Sequence, residues 1–318
     1  MNRPLYVDCD TGVDDALALA YLLASPEITL VGIGCVSGNV SAAQAAENTL
    51  RLLALAGRDA IPVAVGAHDP LAGRFDGGAP HVHGENGLGG VELPATTVRA
   101  ADESAADMLL RLSHEHAGNL EVLAIGPLTN LAVALRRDPS LPERVRQVTV
   151  MGGAALAPGN ITPVAEANIG NDPEAAQAVL GAAWPIMLVP LDVTMANILE
   201  EKHRHRLCEA ASPAVAVVGR MLDGYFDFYV EEYGRRCSAL HDPLAAAIAV
   251  GGAGACIAPA VDVVVDATKG PGRGQTICDL RGQRGGAADR PGAHVRVVLE
   301  TDGDLAPHLL RRLLSEAA

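Results

Sequence analysis

Short apolar segments alternate with amphipathic segments along most of the chain. The run at 28–36 is apolar nearly throughout, which is typical of a β-strand covered on both faces. Residues 13–24 carry apolar side chains at helical spacing, among them Leu17, Tyr21 and Ala24, and predict a helix. The predicted strands are residues 5–10, 28–36, 61–65, 120–125, 145–151, 185–190, 261–265, 276–280 and 294–299. The predicted helices are residues 13–24, 42–56, 104–116, 214–232 and 242–250, with others starting at Leu128, at Pro173 and after Asp304.

This alternation of strand and helix predicts an α/β fold, with a mostly parallel central sheet, helices on both faces and a Rossmann-like core. Ligands of such sheets bind at the carboxyl ends of the strands. The segment 66–94, rich in Gly, His and Pro, is too long to be a simple connection and is a candidate lid or binding loop. A second glycine-rich loop is predicted at 152–170. There is no internal repeat and no linker, so we treat residues 1–318 as a single domain.

Composition narrows the range of partners. Thirty-eight acidic residues against 24 basic ones give a formal charge of −14, which repels polyphosphates, so we expect no nucleic-acid partner. The uncharged stretch 243–261 is long enough to span a bilayer, but it is mostly alanine interrupted by Gly and Pro, and we predict a buried helix and loop there. Six scattered cysteines and an early carboxylate at Asp8 indicate a cytoplasmic protein without a signal peptide.

Four aspartates surround the turn between the first predicted strand and the first predicted helix. Asp8 and Asp10 are two apart on the strand and therefore share a face. Asp14 and Asp15 fall in the first turn of the helix, where free N–H groups favour negative charge. Four like charges so close together need a neutralising cation, and oxygen ligands suit Ca²⁺ or Mg²⁺. The alternative is that one aspartate caps the helix while the others are solvated.

Other families use similar strings of aspartates. An EF-hand loop counted from Asp8 would need Gly and Glu where this chain has Val13 and Leu19, so that interpretation is excluded. A haloacid-dehalogenase-type phosphatase has D-x-D followed by a small residue and then Thr or Val. Here Thr11 and Gly12 come in the opposite order, which leaves the phosphatase as a disfavoured alternative.

The segment VDCDTGVDD at 7–15 resembles the D-x-D-x-x-x-D-D signature of the inosine-uridine-preferring nucleoside hydrolases. The similarity runs nearly from end to end. The further matching stretches are SGNV at 37–40, HGENGL at 83–88, GPLTN at 126–130, MGG at 151–153, GNITP at 159–163, EAN at 166–168 and HDP at 241–243. The resemblance implies the nucleoside hydrolase fold and hydrolysis of the N-glycosidic bond of ribonucleosides.

In that family a Ca²⁺ lies at the bottom of the pocket. The resemblance implies that Asp10, Asp15 and Asp242 bind it through their carboxylates and that Ile125 binds it through its backbone carbonyl. Asp10 would also act as the general base. A pocket rich in carboxylates suits the oxocarbenium-like ribosyl centre that forms as the glycosidic bond breaks. Asp242 is, in addition, a candidate N-cap for a helix that starts at Pro243.

The resemblance also implies how the sugar is bound. Asp14 would contact the 2′-hydroxyl, Asn168 the 3′-hydroxyl, and Asn160 with Glu166 the 5′-hydroxyl, with Asn39 nearby. Such a site rejects deoxynucleosides, and Glu166 would repel a 5′-phosphate. From the residues alone, Asn160 and Asn168 could instead be turn formers, and Glu166 a solvated charge.

The leaving base needs a proton, and histidine is a suitable donor near neutral pH. The resemblance implies that His241 is this acid. Tyr225 and Tyr229 are four apart on one predicted helix face and are candidates to line the base pocket, whereas His83 is either a pocket residue or a loop histidine. Trp184 is predicted to pack in the core, which disfavours the purine-specific relatives that stack the base on tryptophan. The predicted substrate-binding residues are Asp14, Asn39, His83, Met151, Asn160, Glu166, Asn168, Tyr225, Tyr229 and Asp242.

The sequence thus predicts a Ca²⁺-dependent ribonucleoside hydrolase that acts in nucleoside salvage. The base preference stays open between pyrimidines, purines and both. A non-catalytic nucleoside- or ribose-binding module on the same fold is the alternative from another class. Relatives form dimers or tetramers, so a homodimer or homotetramer is expected.

Overall fold

The computed structural model describes residues 2–315. Its strands are β1 (Arg3–Cys9), β2 (Ile28–Cys35), β3 (Val63–Val65), β4 (Leu120–Ala124), β5 (Val145–Met151), β6 (Ile186–Val189), β7 (Ile198–Glu200), β8 (Cys237–Ala239), β9 (Cys256–Ile257), β10 (Ala260–Val261), β11 (Val263–Val265), β12 (Thr276–Cys278), β13 (Val295–Val297) and β14 (Glu300–Thr301). Its α-helices are α1 (Val13–Leu23), α2 (Ala42–Leu55), α3 (Pro80–His83), α4 (Ala105–Glu115), α5 (Thr129–Arg137), α6 (Ala167–Asn171), α7 (Pro173–Leu180), α8 (Leu191–Thr194), α9 (Glu201–Cys208), α10 (Pro213–Phe228), α11 (Val230–Tyr233), α12 (His241–Val250) and α13 (Leu305–Leu314).

The central sheet of the described residues has eight strands in the order β10-β13-β6-β5-β4-β1-β2-β3. All neighbouring strands run parallel except β10 and β13, which are antiparallel. The predicted mostly parallel sheet is therefore confirmed. The other strands form three separate pairs, β11 with β12, β9 with β14, and β7 with β8.

Strand β1 lies inside the sheet, between β2 and β4. Its side chains alternate between two apolar cores, because Leu5 and Val7 enter one core and Tyr6 enters the other. Helices α1, α10 and α12 contribute to the first core, and helices α4, α5 and α7 contribute to the second. Helices thus cover both faces, and the carboxyl ends of β1, β2, β4, β5 and β6 meet at one edge.

The predicted elements differ from the observed ones mainly in the last third of the chain. The predicted helix 214–232 is two helices, α10 and α11. The predicted strand 261–265 is also divided, since β10 joins the central sheet and β11 pairs with β12. The chain leaves the central sheet between them at Asp262, whose half-exposed carboxylate forms an ion pair of 3.0 Å with Arg290.

The uncharged stretch 243–261 is a buried helix followed by turns and short strands, as predicted. Helix α12 ends at Val250, and Gly251 follows it with a φ of +82°, a conformation that favours glycine and stops the helix. None of the helices described between residues 2 and 315 has both the length and the apolar character needed to cross a membrane.

Candidate active site

The turn between β1 and α1 places three aspartates at the carboxyl edge of the sheet. Helix α1 begins at Val13, so Asp14 and Asp15 lie in its first turn. The Asp15 carboxylate closes the turn, because it accepts hydrogen bonds from the backbone N–H groups of Gly12 at 2.8 Å and Asp10 at 3.2 Å. The Asp15 carboxylate therefore stabilises the turn and is also one of the acidic groups at the edge of the sheet.

A fourth aspartate arrives from the far end of the sequence. Carboxylate oxygens of Asp14, Asp15 and Asp242 all lie within 4.8 Å of one another. Asp242 is not the N-cap predicted for it, because α12 begins one residue earlier, at His241, and Asp242 lies within the first turn. Its carboxylate is thus free of a capping role and belongs to the acidic cluster.

Asp10 lies beside this group but outside the three-carboxylate set. Its Oδ2 accepts a hydrogen bond of 2.7 Å from the Asn39 backbone N–H, whereas its Oδ1 is buried without a partner. Asn39 also donates from Nδ2 to Asp15 at 3.1 Å, so it joins the two carboxylates. Residue 38, which packs against Asp10, is a glycine for a steric reason, since a Cβ at Gly38 would overlap the Asp10 carboxylate.

Asp8 does not join the other aspartates. Its carboxylate accepts hydrogen bonds from the Tyr6 hydroxyl at 2.7 Å and from Asn130 Nδ2 at 3.1 and 3.2 Å. The alternation that puts residues two apart on one face ends with β1 at Cys9, so it does not extend to Asp10. The expected convergence of four aspartates on the first strand is wrong for Asp8, and Asp242 takes the fourth place.

Burial and mutual repulsion disfavour the ionised forms of this cluster. Burial, followed by repulsion from Asp14, raises the pKa of Asp15 to about 7. The pKa of Asp10 is raised well above its usual range by burial and then by Asp15, and that of Asp242 by burial and then by Asp14. The oxygens Asp10 Oδ1 and Asp14 Oδ1 are buried without a hydrogen-bond partner, and the basic group nearest to them is the His83 ring, whose Nδ1 lies 3.8 Å from Asp14 Oδ1. Buried carboxylates with unpaired oxygens are typical of a site for a hard divalent cation.

The side chains predicted to bind the ribose lie at the same edge. Asn168 is in helix α6 and is buried, and its Nδ2 donates to the backbone carbonyls of Ile125 at 3.0 Å and Met151 at 3.1 Å. The turn-former interpretation is therefore wrong for Asn168. Asn160 is exposed, and its Oδ1 accepts from the Ala167 N–H at 2.9 Å, so the turn-former interpretation describes its contact here.

Glu166 is buried and not a solvated charge. It is the N-cap of α6 and accepts from the backbone N–H groups of Asn168 at 2.9 Å and Ile169 at 3.1 Å. A third N–H, that of Gly153 at 2.9 Å, joins the two ends of the loop between β5 and α6. Burial raises the pKa of Glu166 to about 7, although the three hydrogen bonds oppose this shift.

A chain of hydrogen-bonded side chains leads from the acidic cluster to His241. The Tyr225 hydroxyl donates to Asp14 Oδ2 at 3.0 Å and lies 3.5 Å from the Tyr229 hydroxyl. The Tyr229 hydroxyl is 2.7 Å from His241 Nε2, and His241 Nδ1 is 2.8 Å from the Thr194 hydroxyl. All of these side chains are buried. The two tyrosines therefore lie in one chain of contacts from Asp14 to His241, and their place in the base pocket stays a prediction.

His83 closes the wall beside Tyr225. It lies at the end of helix α3 and is buried, so the loop-histidine interpretation is wrong. Its Nδ1 accepts a hydrogen bond of 3.1 Å from the Val13 N–H, which caps the start of α1. Burial lowers the pKa of His83, and this acceptor role keeps its proton on Nε2.

Two residues that hold other side chains in place were not singled out from the sequence, one that contacts the site and one that contacts Asp8 outside it. Thr194 orients His241, and Asn130 holds Asp8 through the contacts given above. Asn130 belongs to the GPLTN stretch, which could have indicated it, whereas nothing in the sequence marks Thr194. Trp184 packs in the core as predicted, fully buried, with Nε1 donating to the Val179 carbonyl at 2.9 Å.

Comparison with known proteins agrees with this geometry. The family model described as inosine-uridine preferring nucleoside hydrolase matches residues 5–306. Uridine nucleosidase 1 of Arabidopsis thaliana is 37% identical over 243 residues, which cover 76% of this chain and 72% of the relative. A solved plant nucleoside hydrolase superposes with a TM-score of 0.92 at 31% identity, covering 99% of this chain and 100% of the other.

A purine-preferring ribonucleoside hydrolase from Gardnerella vaginalis superposes with a TM-score of 0.88 at 32% identity, covering 98% of this chain and 97% of the other. Relatives of this chain therefore include proteins named for pyrimidine and for purine substrates. The family match over nearly the whole chain removes the basis for the phosphatase alternative. This chain belongs to the inosine-uridine preferring nucleoside hydrolases, a family of N-glycosidase hydrolases.

Proposed function

We propose that this protein hydrolyses the N-glycosidic bond of ribonucleosides to ribose and free base, depends on Ca²⁺ and serves nucleoside salvage. The observation that carries the proposal is the buried group of Asp14, Asp15 and Asp242, which is connected through two tyrosines to His241. A cytoplasmic location, a single catalytic domain over residues 1–318 and a homodimer or homotetramer complete the proposal.

The proposed calcium ligands are the carboxylates of Asp10, Asp15 and Asp242 and the backbone carbonyl of Ile125. The fit is supported by the unpaired buried Oδ1 of Asp10 and by an all-oxygen donor set, which a hard cation prefers. Ile125 already accepts one hydrogen bond, from Asn168, and its carbonyl has a second lone pair. When bound, the cation supplies the positive charge that allows these carboxylates to stay ionised inside the protein.

Asp10 is the proposed general base. The Asn39 N–H fixes the Asp10 carboxylate through Oδ2, and Oδ1, which has two lone pairs, can both face the cation and accept a proton from the attacking water. The reaction develops positive charge on the ribosyl ring, and the fixed carboxylates beside it stabilise that charge more in the transition state than in the substrate. The base and the electrostatic stabilisation thus come from one cluster.

His241 is the proposed source of the proton for the leaving base. Thr194 and Tyr229 hold its two ring nitrogens, so the ring has one orientation. Burial lowers the pKa of His241, so its protonated ring is a stronger acid than an exposed histidine and returns to the neutral form when it gives up the proton. The Tyr229 hydroxyl can both accept and donate, so it can pass a proton from Nε2 towards the pocket, and Tyr225 lies next in that chain.

Specificity for the sugar follows from hydroxyl recognition. In the proposal Asp14 accepts from the 2′-hydroxyl, Asn168 pairs with the 3′-hydroxyl, and Asn160 and Glu166 address the 5′-hydroxyl. Removing a hydroxyl leaves a buried polar group unpaired, so deoxynucleosides should be poor substrates. A 5′-phosphate would meet the Glu166 carboxylate, so nucleotides should be excluded.

The test is ribose release by the purified protein from uridine, cytidine and inosine, measured as reducing sugar with Ca²⁺ and with a chelator. We expect release from at least one of these nucleosides, and we expect the chelator to abolish it. Tight nucleoside binding without release would support the non-catalytic binding module instead. Cell fractionation and analytical ultracentrifugation test the location and the oligomeric state.

A further inference from the structure

A carboxylate on the short helix α8 holds a loop beside the proposed sugar pocket. Asp192 Oδ2 accepts a hydrogen bond from the Ala155 N–H at 2.8 Å. Its Oδ1 accepts from the Leu156 N–H at 2.7 Å and from the Ala157 N–H at 3.2 Å. Three consecutive backbone N–H groups therefore converge on one side chain. Together these three hydrogen bonds hold residues 155–157 to helix α8.

The held residues are part of the segment that leads from β5 to Asn160 and Glu166. One end of this segment is held by Glu166 itself, through the Gly153 N–H. Packing holds the part between only in part, because the alanines on either side of Leu156 are partly buried against the apolar cores whereas the Leu156 side chain is 76% exposed. Asp192 adds a hydrogen bond to the backbone of each of these three residues.

The support under Asp192 is rigid. Leu191 and Val193, on either side of it, are buried, and the Leu191 N–H donates to the Gly153 carbonyl at 2.9 Å. Two residues further on, the Thr194 hydroxyl contacts His241. A single helical turn therefore contacts both the loop and the proposed acid. Precise sites need such fixed supports.

We propose that Asp192 is a positioning residue for recognition of the 5′-hydroxyl of the substrate. Its carboxylate fixes residues 155–157 and thereby the approach of Asn160 and Glu166 to the sugar. Asp192 itself does not touch the substrate. The inference rests on the proposed function, which assigns Asn160 and Glu166 to the 5′-hydroxyl.

The test is the Asp192→Asn variant, which keeps the size of the side chain but offers one acceptor oxygen in place of two. We compare kcat/KM for the ribonucleoside that the wild type cleaves best and for its 5′-deoxy counterpart. The variant should lose about 10- to 100-fold on the ribonucleoside, because a displaced contact costs about that much, and less than about twofold on the 5′-deoxy substrate. Glu209→Gln, which changes an exposed charge outside the loop, is the matched control and should leave both values unchanged.

Amide hydrogen exchange gives a readout that is independent of turnover. In Asp192→Asn the exchange of residues 153–160 should accelerate, while that of the central sheet stays the same. The inference would be overturned if kcat/KM fell equally for both substrates or did not fall for the ribonucleoside. Unchanged hydrogen exchange of residues 153–160 would also overturn it. A wild type that cleaves no ribonucleoside would overturn the proposed function and this inference with it. An active wild type with no selective loss in Asp192→Asn would overturn this inference alone, so the two failures are distinguishable.

Discussion

The Tyr229 hydroxyl lies 2.7 Å from Nε2 of His241, and this contact joins the end of α10 to the start of α12 inside the pocket. Without it, the contact of Nδ1 with Thr194 would be the one side-chain hydrogen bond left to the His241 ring within residues 2–315. The contact also puts an exchangeable proton between the imidazole and Tyr225. In the proposed mechanism, leaving-group protonation therefore depends on a tyrosine as well as on the histidine.

Replacing Tyr229 with phenylalanine tests this dependence. Phenylalanine keeps the ring but removes the hydroxyl, so kcat for a natural nucleoside should fall about 100-fold or more, since a positioned general acid typically contributes about 100- to 10,000-fold. A nitrophenyl riboside, whose leaving group needs no proton, should react at nearly the wild-type rate. Tyr233→Phe is the control, because the Tyr233 hydroxyl donates to the Met195 carbonyl and not into the pocket. Equal losses on both substrates would argue against a role in proton transfer.

A glycine next to Asp10 gives a second prediction. A Cβ at Gly38 would overlap Asp10 Oδ2 and would lie 2.7 Å from Pro127 Cδ. Gly38→Ala should therefore displace the proposed base and lower kcat/KM by about 100-fold, with the fold retained. Gly224→Ala is the matched control, since nothing lies within 4 Å of its added Cβ and alanine favours the α10 helix by about 1 kcal/mol. Normal activity in Gly38→Ala would show that the exact place of the Asp10 carboxylate is unimportant.

The raised pKa of Glu166 predicts how stability changes with pH. An exposed glutamate has a pKa of about 4.3, whereas burial raises the pKa of Glu166 to about 7. Between these values the unfolded chain has lost the proton that the folded chain retains, so stability falls as pH rises towards 7. Glu166→Gln removes this loss, and its melting temperature relative to wild type should increase by roughly a few degrees from pH 5 to pH 8.

Glu174→Gln is the control for this measurement. A hydrogen bond from Arg273 lowers the pKa of Glu174, so this group has no proton to lose between pH 5 and pH 8. Its melting-temperature difference from wild type should stay constant over that range. A constant difference for Glu166→Gln as well would contradict the raised pKa.

The sequence predicted the elements that show a regular hydrophobic pattern and the part of the site that carries a motif. The apolar run of β2 and the helical spacing of α1 give these elements directly, and the aspartates between β1 and α1 indicate the acidic site. The spacing of four residues predicted that Tyr225 and Tyr229 lie on one helix face, and both lie at the end of α10. The resemblance, not the spacing, indicated Asp242, because its approach to Asp14 depends on tertiary packing.

The remaining features lie in segments too short to show a pattern. Helix α8 has four residues, about one turn, so neither Thr194 nor Asp192 is marked by a period. The prediction that Asp8 and Asp10 share a face is wrong for another reason. Strand alternation predicts side-chain direction only within the strand, and β1 ends at Cys9, before Asp10. These side chains receive their roles from the packing of distant segments.

The most direct test of the central claim is ribose release measured with the Ca²⁺-loaded protein, with the chelated protein and with Asp10→Ala. We expect the loaded wild type to cleave at least one ribonucleoside, the chelated form to be inactive until Ca²⁺ is restored, and a folded Asp10→Ala variant to be inactive throughout. A loaded wild type inert towards every ribonucleoside, or activity that chelation does not change, would contradict the account.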